Sequence, residues 1–213
     1  IGLPIMMAEI VIGRRASSSP VNSMKSAALD SNRSSNWQVI GWGGLIAGIL
    51  ILSFYSVLAG ICINYIFISA LPDLQLSSEE QFSITTSSAS NLLIWHSIFI
   101  FITAGVMASG IKNGIGRFVR VLMPLLGLIL ILMVLNAVIN GDFLKGLQFL
   151  FSPDFSQVNP QTFLSAMGQA FFSLSLGMGA IMTYGAYMSD DQKILNTSIT
   201  VGGLDTLVAL MAG

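Results

Sequence analysis

The chain has 213 residues, of which 54% are apolar and only 9% are charged, and its mean hydropathy is +0.79. A soluble domain carries about 25% charged residues, so nine basic and ten acidic side chains cannot coat a water-soluble globule of this size. The composition therefore excludes an ordinary soluble protein, a disordered chain and a nucleic-acid binder, which needs a basic face. The single cysteine, Cys62, excludes a disulfide scaffold and any CxxC-type metal site.

Long apolar runs predict helices that cross a lipid bilayer, since such a helix needs about 20 mainly apolar residues. Four runs are long enough, and a shorter one stands at each end of the chain. The predicted spans are residues 1–12, 39–71, 92–111, 121–139, 163–188 and 195–213. The runs are continuous, whereas barrel strands alternate, so we expect an all-α integral membrane protein. Because both end runs begin or stop within apolar sequence, we expect residues 1–213 to be a single partial domain of a longer protein.

The basic residues between the runs predict the orientation. Eight of the nine Lys and Arg residues lie in loops 13–38, 112–120 and 189–194, and the loops 72–91 and 140–162 hold only one. Because loops rich in Lys and Arg stay in the cytoplasm, the first three loops are predicted to be cytoplasmic, in a plasma (inner) membrane. The acidic, Ser/Thr-rich stretch 74–90 is then an external loop.

Two ionisable residues fall within apolar runs, where charges are costly and usually functional. Glu9 lies in the first run and Asp205 in the last. Glu9 has an alternative interpretation, as a carboxylate near the membrane interface that pairs with Arg14. Asp205 lies well beyond Lys193 along its run and is expected near the middle of the bilayer.

The fifth run contains an unusual polar and glycine-rich stretch, residues 169–179 (QAFFSLSLGMG). It combines Ser173 and Ser175 with Gly177 and Gly179, and each glycine in a helix costs up to about 1 kcal/mol relative to alanine. Small residues of this kind are typical of close helix packing in membranes. They are also typical of a broken helix, whose freed backbone groups line a cavity and bind ions or charged substrate groups. The residues alone leave both interpretations open.

Several segments resemble the neurotransmitter:sodium symporter family, which has the leucine-transporter fold. Residues 2–14 (GLPIMMAEIVIGR) resemble the end of the family's second helix, and residues 113–124 (NGIGRFVRVLMP) resemble its entry into helix five. Residues 150–155 (LFSPDF) and 168–184 (GQAFFSLSLGMGAIMTY) resemble the fourth outer loop and helix six. The resemblance implies that the six runs are helices two to seven, with helix six broken, and that helices one and eight onward are missing partners.

The resemblance also implies which residues bind substrate and sodium. The substrate-binding positions are Ile51, Tyr55, Phe172, Ser175, Met178 and Gly179. Among these, Tyr55 matches a tyrosine that hydrogen-bonds the carboxylate region of the substrate. Ser173 and Asp205 match two side-chain ligands of the first sodium site.

Further positions have implied roles in anion binding and gating. Gln169, together with Ser173 and Asp205, matches a corner that animal relatives use for chloride. Glu9 matches a glutamate that braces the unwound stretch around Gly177, and Tyr187 matches a tyrosine of the cytoplasmic gating network. Asp205 is commonly asparagine in the family, and its carboxylate is expected to make chloride unnecessary.

The function implied by the resemblance is sodium-coupled symport of amino acids or related small amines by alternating access, without enzymatic activity. Met178 is pliable, which favours hydrophobic amino acids of varied shape. A relative with the same fold but another cargo or coupling ion is one alternative. A regulatory or assembly membrane subunit, in which Gly177 and Gly179 only pack helices, is another. An intramembrane enzyme would need a nucleophile–base pair or a metal cluster, and the sequence contains neither pattern.

Overall fold

The structure is a computed structural model that describes residues 1–70, 78–110 and 114–212. These residues form ten α-helices, two short 3-10 helices at Ser35–Trp37 and Phe155–Gln157, and no strand, which confirms the all-α prediction. Some predicted features lie outside the described residues. They are Lys112, Asn113, the start of the 74–90 stretch and the final residues of the predicted spans 39–71, 92–111 and 195–213.

Within the described ranges, four helices are long and apolar enough to cross a membrane. They are α3 (Gln38–Ser69), α5 (Ala89–Ala108), α6 (Gly116–Asn140) and α10 (Ile194–Ala212). Each coincides with one of the predicted spans to within a few residues. Their sequences are apolar on all sides, as expected for helices whose solvent is lipid.

Four further helices are shorter: α1 (Gly2–Ala16), α2 (Pro20–Asp30), α4 (Ser78–Ser87) and α7 (Phe143–Phe151). Of these, α2, α4 and α7 lie in stretches that the sequence analysis treats as loops, because each is too short or too polar to resemble a span. Local signals explain two of them. The Ser19 side chain accepts a hydrogen bond from the Asn22 N–H at the start of α2. Acidic residues occupy the first turn of α4, where they interact favourably with the helix dipole.

The predicted span 163–188 is two helices, α8 (Pro160–Ser173) and α9 (Ala180–Tyr187). Residues 174–179 between them are not helical. The broken helix six expected from the resemblance is therefore confirmed.

The chain divides into two units, residues 1–48 with 126–213 and residues 49–125. In the first unit α1 packs against α2, α8, α9 and α10. Its core contains Met6, Ile10 and Leu176. Glycines allow the backbones of α1 and α9 to touch: Gly13 faces the Met182 carbonyl group, and a Cβ on Gly185 would lie 2.6 Å from the Ile10 carbonyl oxygen. Small residues are the usual means of such close approach in membranes.

The second unit is held by contacts among α3, α4 and α5. A Cβ on Gly60 would lie 2.7 Å from the backbone nitrogen of His96, so α3 and α5 approach closely there. The buried Asn64 side chain donates a hydrogen bond to the Thr85 hydroxyl, with 3.4 Å between the two atoms. Ile51 and Tyr55 lie in this unit, one helical turn apart on α3.

Candidate functional site

The segment between α8 and α9 leaves helical geometry in a specific way. Ser175, Gly177 and Gly179 have positive φ angles of 55°, 81° and 77°. Glycine adopts this region at no steric cost, but a serine in it is strained by about 1 kcal/mol or more. Within the described part of the chain, the N–H groups of Met178 and Gly179 have no hydrogen-bond acceptor. The break therefore leaves backbone N–H groups unpaired, one at the half-buried Met178 and one at the buried Gly179.

The two sides of the break differ in polarity. Carbonyl groups at the end of α8 carry partial negative charge, and N–H groups at the start of α9 carry partial positive charge. Irregular backbone at membrane depth is tolerated only where protein buries it or where it lines a water-filled cavity. Chemically, this arrangement can bind a cation at one side and an anionic group at the other.

Glu9 on α1 contacts the break directly. Its carboxylate Oε1 accepts a hydrogen bond from the Gly177 N–H, with 2.7 Å between the two atoms, and the residue is only 6% exposed. The second carboxylate oxygen is also buried and has no hydrogen-bond partner among the described residues. The contact is the one expected if Glu9 braces the unwound stretch.

The alternative partner of Glu9, Arg14, is occupied elsewhere. Its Nη1 atom donates to the Gln192 carbonyl oxygen at 2.9 Å, and its Nη2 atom donates to the Asp190 carbonyl oxygen. The Nε atom lies 3.4 Å from the Asp190 carboxylate. Arg14 therefore contacts the turn that follows α9, which sequence reasoning did not predict.

Ser173 and Asp205 meet although 32 positions separate them in sequence. The Ser173 hydroxyl, at the last residue of α8, donates a hydrogen bond to Asp205 Oδ2 on α10, with 2.9 Å between the oxygens. Carboxylate and hydroxyl oxygens are the kind of ligand that a hard cation prefers. Gln169 is exposed one turn earlier on α8.

The remaining predicted site residues of the first unit lie along α8, the break and α9. Phe172 and Ser175 flank the start of the break. Met178 and Gly179 line a cleft of about 480 Å³ whose other walls come from α2, α3 and α9. Tyr187 is the last residue of α9 and is exposed.

Comparison with known proteins identifies the family. A sequence profile described as the Sodium:neurotransmitter symporter family matches residues 74–213. The chain belongs to this family. It is therefore part of a membrane protein of a sodium-dependent transporter family, and not an enzyme.

Individual members of the symporter family match the whole chain. An uncharacterized sodium-dependent transporter of Haemophilus influenzae is 33% identical over 227 residues, covering 100% of this chain and 49% of the relative. The transporter YhdH of Bacillus subtilis, also uncharacterized, is 33% identical over 217 residues, covering 100% and 47%. The crystal structure of MhsT in complex with L-phenylalanine has a TM-score of 0.88 and 41% identity, covering 100% of this chain and 48% of that one. The chain thus spans about half the length of these symporters.

Two residues beside the break, Gly44 and Pro20, were not predicted from the sequence. A Cβ on Gly44 of α3 would lie 3.0 Å from the Gly177 carbonyl oxygen, so α3 approaches the break closely. The Pro20 side chain fills the space at Gly179, where an added Cβ would lie 2.9 Å from it. The three glycines at positions 41, 43 and 44 are a sequence signal for the first contact, whereas no sequence pattern signals the contact of Pro20.

The Glu9 contact predicts how the stability of the protein responds to mutation. Glu9→Ala leaves the Gly177 N–H without an acceptor, and an unsatisfied buried donor costs about 1–3 kcal/mol. Glu9→Gln keeps an acceptor oxygen of the same reach. In thermal unfolding of the purified full-length protein, we expect a lower midpoint for Glu9→Ala and a midpoint near the original value for Glu9→Gln. Equal midpoints for all three proteins would contradict the bracing role.

Proposed function

We propose that the full-length protein is a sodium-coupled symporter of hydrophobic amino acids that works by alternating access in the plasma membrane. The observation that carries this proposal is the juxtaposition, around one helix break, of open backbone groups, the Glu9 contact and the Ser173–Asp205 oxygen pair. On the distribution of basic residues, loops 13–38, 112–120 and 189–194 face the cytoplasm.

Sodium binds, in this proposal, at Ser173 and Asp205. The two side-chain oxygens lie 2.9 Å apart, so one cation can contact both at once. Ser173 ends α8, and the partial negative charge of the terminal carbonyl groups adds to the attraction for a cation. The ligands that complete the shell come from parts of the protein outside this chain.

The amino acid binds at the break itself. Its ammonium group suits the carbonyl groups after Ser173, and its apolar side chain suits Phe172 and the pliable Met178. The L-phenylalanine in the MhsT complex supports this class of cargo. Ile51 and Tyr55 are included as substrate contacts on the resemblance alone. Tyr187, at the end of α9, belongs to the proposed cytoplasmic gate.

Chloride is not required in this proposal because Asp205 supplies the compensating charge. A sodium ion beside a carboxylate is locally neutral, whereas beside an asparagine it leaves one positive charge uncompensated. Removing an uncompensated charge from water costs several kcal/mol even after relaxation. Gln169 and Ser173 match the position where animal relatives bind chloride, and in this protein they would make polar contacts there without binding the anion.

The function is tested by uptake of a labelled amino-acid panel into vesicles containing the full-length protein. With an inward sodium gradient, we expect accumulation of one or more hydrophobic amino acids, because the gradient supplies the driving force. Replacing sodium by potassium should reduce uptake to background. Lack of sodium-dependent uptake and binding across the panel would favour a non-transporting subunit, and uptake driven by another ion or of another cargo would favour a same-fold relative.

Measuring uptake with and without chloride tests the role of Asp205 separately from sodium-coupled transport. With chloride replaced by gluconate, we expect the unmodified protein to keep its sodium-driven uptake. Asp205→Asn should raise the sodium concentration for half-maximal uptake at least about tenfold, since a charge-assisted contact is lost. Added chloride should restore part of this loss, and only part, because Ala209 one turn further along offers no hydroxyl. Glu79→Gln, an exposed carboxylate on α4, is the matched control and should behave like the original. If gluconate alone abolished uptake by the unmodified protein, the charge-compensation role would be wrong.

A further inference from the structure

We infer that Arg14 is a positioning residue of the candidate site. Its guanidinium group fixes the turn between α9 and α10, residues 188–193, against the end of α1. No role is implied for this residue by the resemblance, and the sequence suggests only an interfacial partner for Glu9.

The geometry of the contact depends on the shape of the guanidinium group. Two of its nitrogens donate to two different backbone oxygens, those of Asp190 and Gln192. A planar fork presents both donors from separate nitrogens in fixed directions, whereas the three N–H groups of a lysine ammonium share one nitrogen at the end of a flexible stem. The Arg14 side chain is only 21% exposed, while the Asp190 carboxylate is fully exposed and 3.4 Å away. The ion pair is therefore weak, and the two carbonyl contacts dominate.

The contact between Arg14 and the turn matters because the turn connects α9 to α10. The turn ends α9, which begins directly after the break, and it precedes α10, which carries Asp205. Glu9 on α1 holds the chain just before α9, and Arg14 on the same helix holds it just after. Eight residues of helix span about 12 Å. Thus α1 fixes both ends of α9, and with them the origin of the helix that carries Asp205.

Between the Glu9 and Arg14 contacts, the backbones of α1 and α9 pack directly against each other, which fixes the position of α9 relative to α1. Gly13, adjacent to Arg14, faces the Met182 carbonyl group within α9. With α9 held at this point, loss of the Arg14 contacts frees the turn and the start of α10 rather than the break. We therefore expect Arg14 to set the position of Asp205 relative to Glu9. The consequence for sodium and substrate binding rests on the proposed function; the consequence for the position of the turn does not.

The positional claim is tested with spin labels at Ser17→Cys and Lys193→Cys in the full-length protein, with Cys62 and any other cysteine replaced by alanine. Pulsed electron resonance then measures the distance between the end of α1 and the turn. We expect a single narrow distribution for the parent protein and a broad one for Arg14→Lys and Arg14→Gln. Asp190→Asn should stay narrow because it keeps both carbonyl oxygens. Arg15→Lys, whose side chain is exposed and pairs with Asp30, is the matched control and should also stay narrow.

The functional consequence is measured in the same variants by sodium-dependent binding of labelled L-phenylalanine. We expect the apparent Kd to rise on the order of tenfold for Arg14→Lys, because a smaller fraction of molecules has the competent geometry. Arg15→Lys should bind like the parent. A narrow distribution and unchanged binding in Arg14→Lys would overturn the assignment. A broad or double distribution of the Ser17–Lys193 label distance in the parent protein would also overturn it. This second result needs no variant, so the test remains valid if the Arg14 variants do not fold. Absence of L-phenylalanine binding by the parent, with the expected distances, would count against the proposed function alone.

Discussion

Between Ser173 and Ala180 the chain leaves helical geometry inside an apolar span, where lipid offers no water to the backbone. The Gly177 N–H in the middle of this segment donates a hydrogen bond to the Glu9 carboxylate, and we expect this contact to stabilise the departure. It joins the middle of the break to a helix that packs on both α8 and α9. Because Glu9 is buried, the bond is protected from competition with water. Every other feature of the candidate site, from the open N–H groups to the position of Ser173, depends on the break remaining open.

An open break places groups that bind cations and groups that bind anions within a few residues of each other. The carbonyl end of α8 attracts cations, and Asp205 adds a full negative charge beside Ser173. The start of α9 offers N–H groups. The carboxylate of a zwitterionic amino acid complements a sodium ion and the N–H groups, and its ammonium group complements the carbonyl groups, which is why both ligands fit one site in the proposed function. Glycine at position 44 leaves the space that the backbone of the break occupies, and glycine at position 179 leaves the space that the Pro20 side chain fills.

Apolar runs in the sequence predict helices α3, α5, α6 and α10 to within a few residues, because a helix in lipid needs a continuous apolar stretch. The sequence predicted the break less firmly, since Gly177 and Gly179 are equally typical of close packing, and the resemblance was needed to choose. The Glu9–Gly177 contact links positions 168 apart, which no local pattern reveals. The Arg14 contact could not be predicted at all, because its acceptors are backbone carbonyl groups and any residue can provide one. Helices α2, α4 and α7 were missed because they are short and carry no membrane signal.

Residues 174–179 are proposed to form a ligand-binding break and not a packing motif. Hydrogen–deuterium exchange of the full-length protein measures this most directly, by comparing this segment in sodium with L-phenylalanine, in sodium alone and in potassium alone. We expect fast exchange of the unpaired Met178 and Gly179 amides in potassium, and protection of this segment when sodium and amino acid are both present. Residues 126–139 of α6 should exchange equally under all three conditions. Slow exchange of 174–179 under all three conditions, as in a continuous helix, would contradict this proposal.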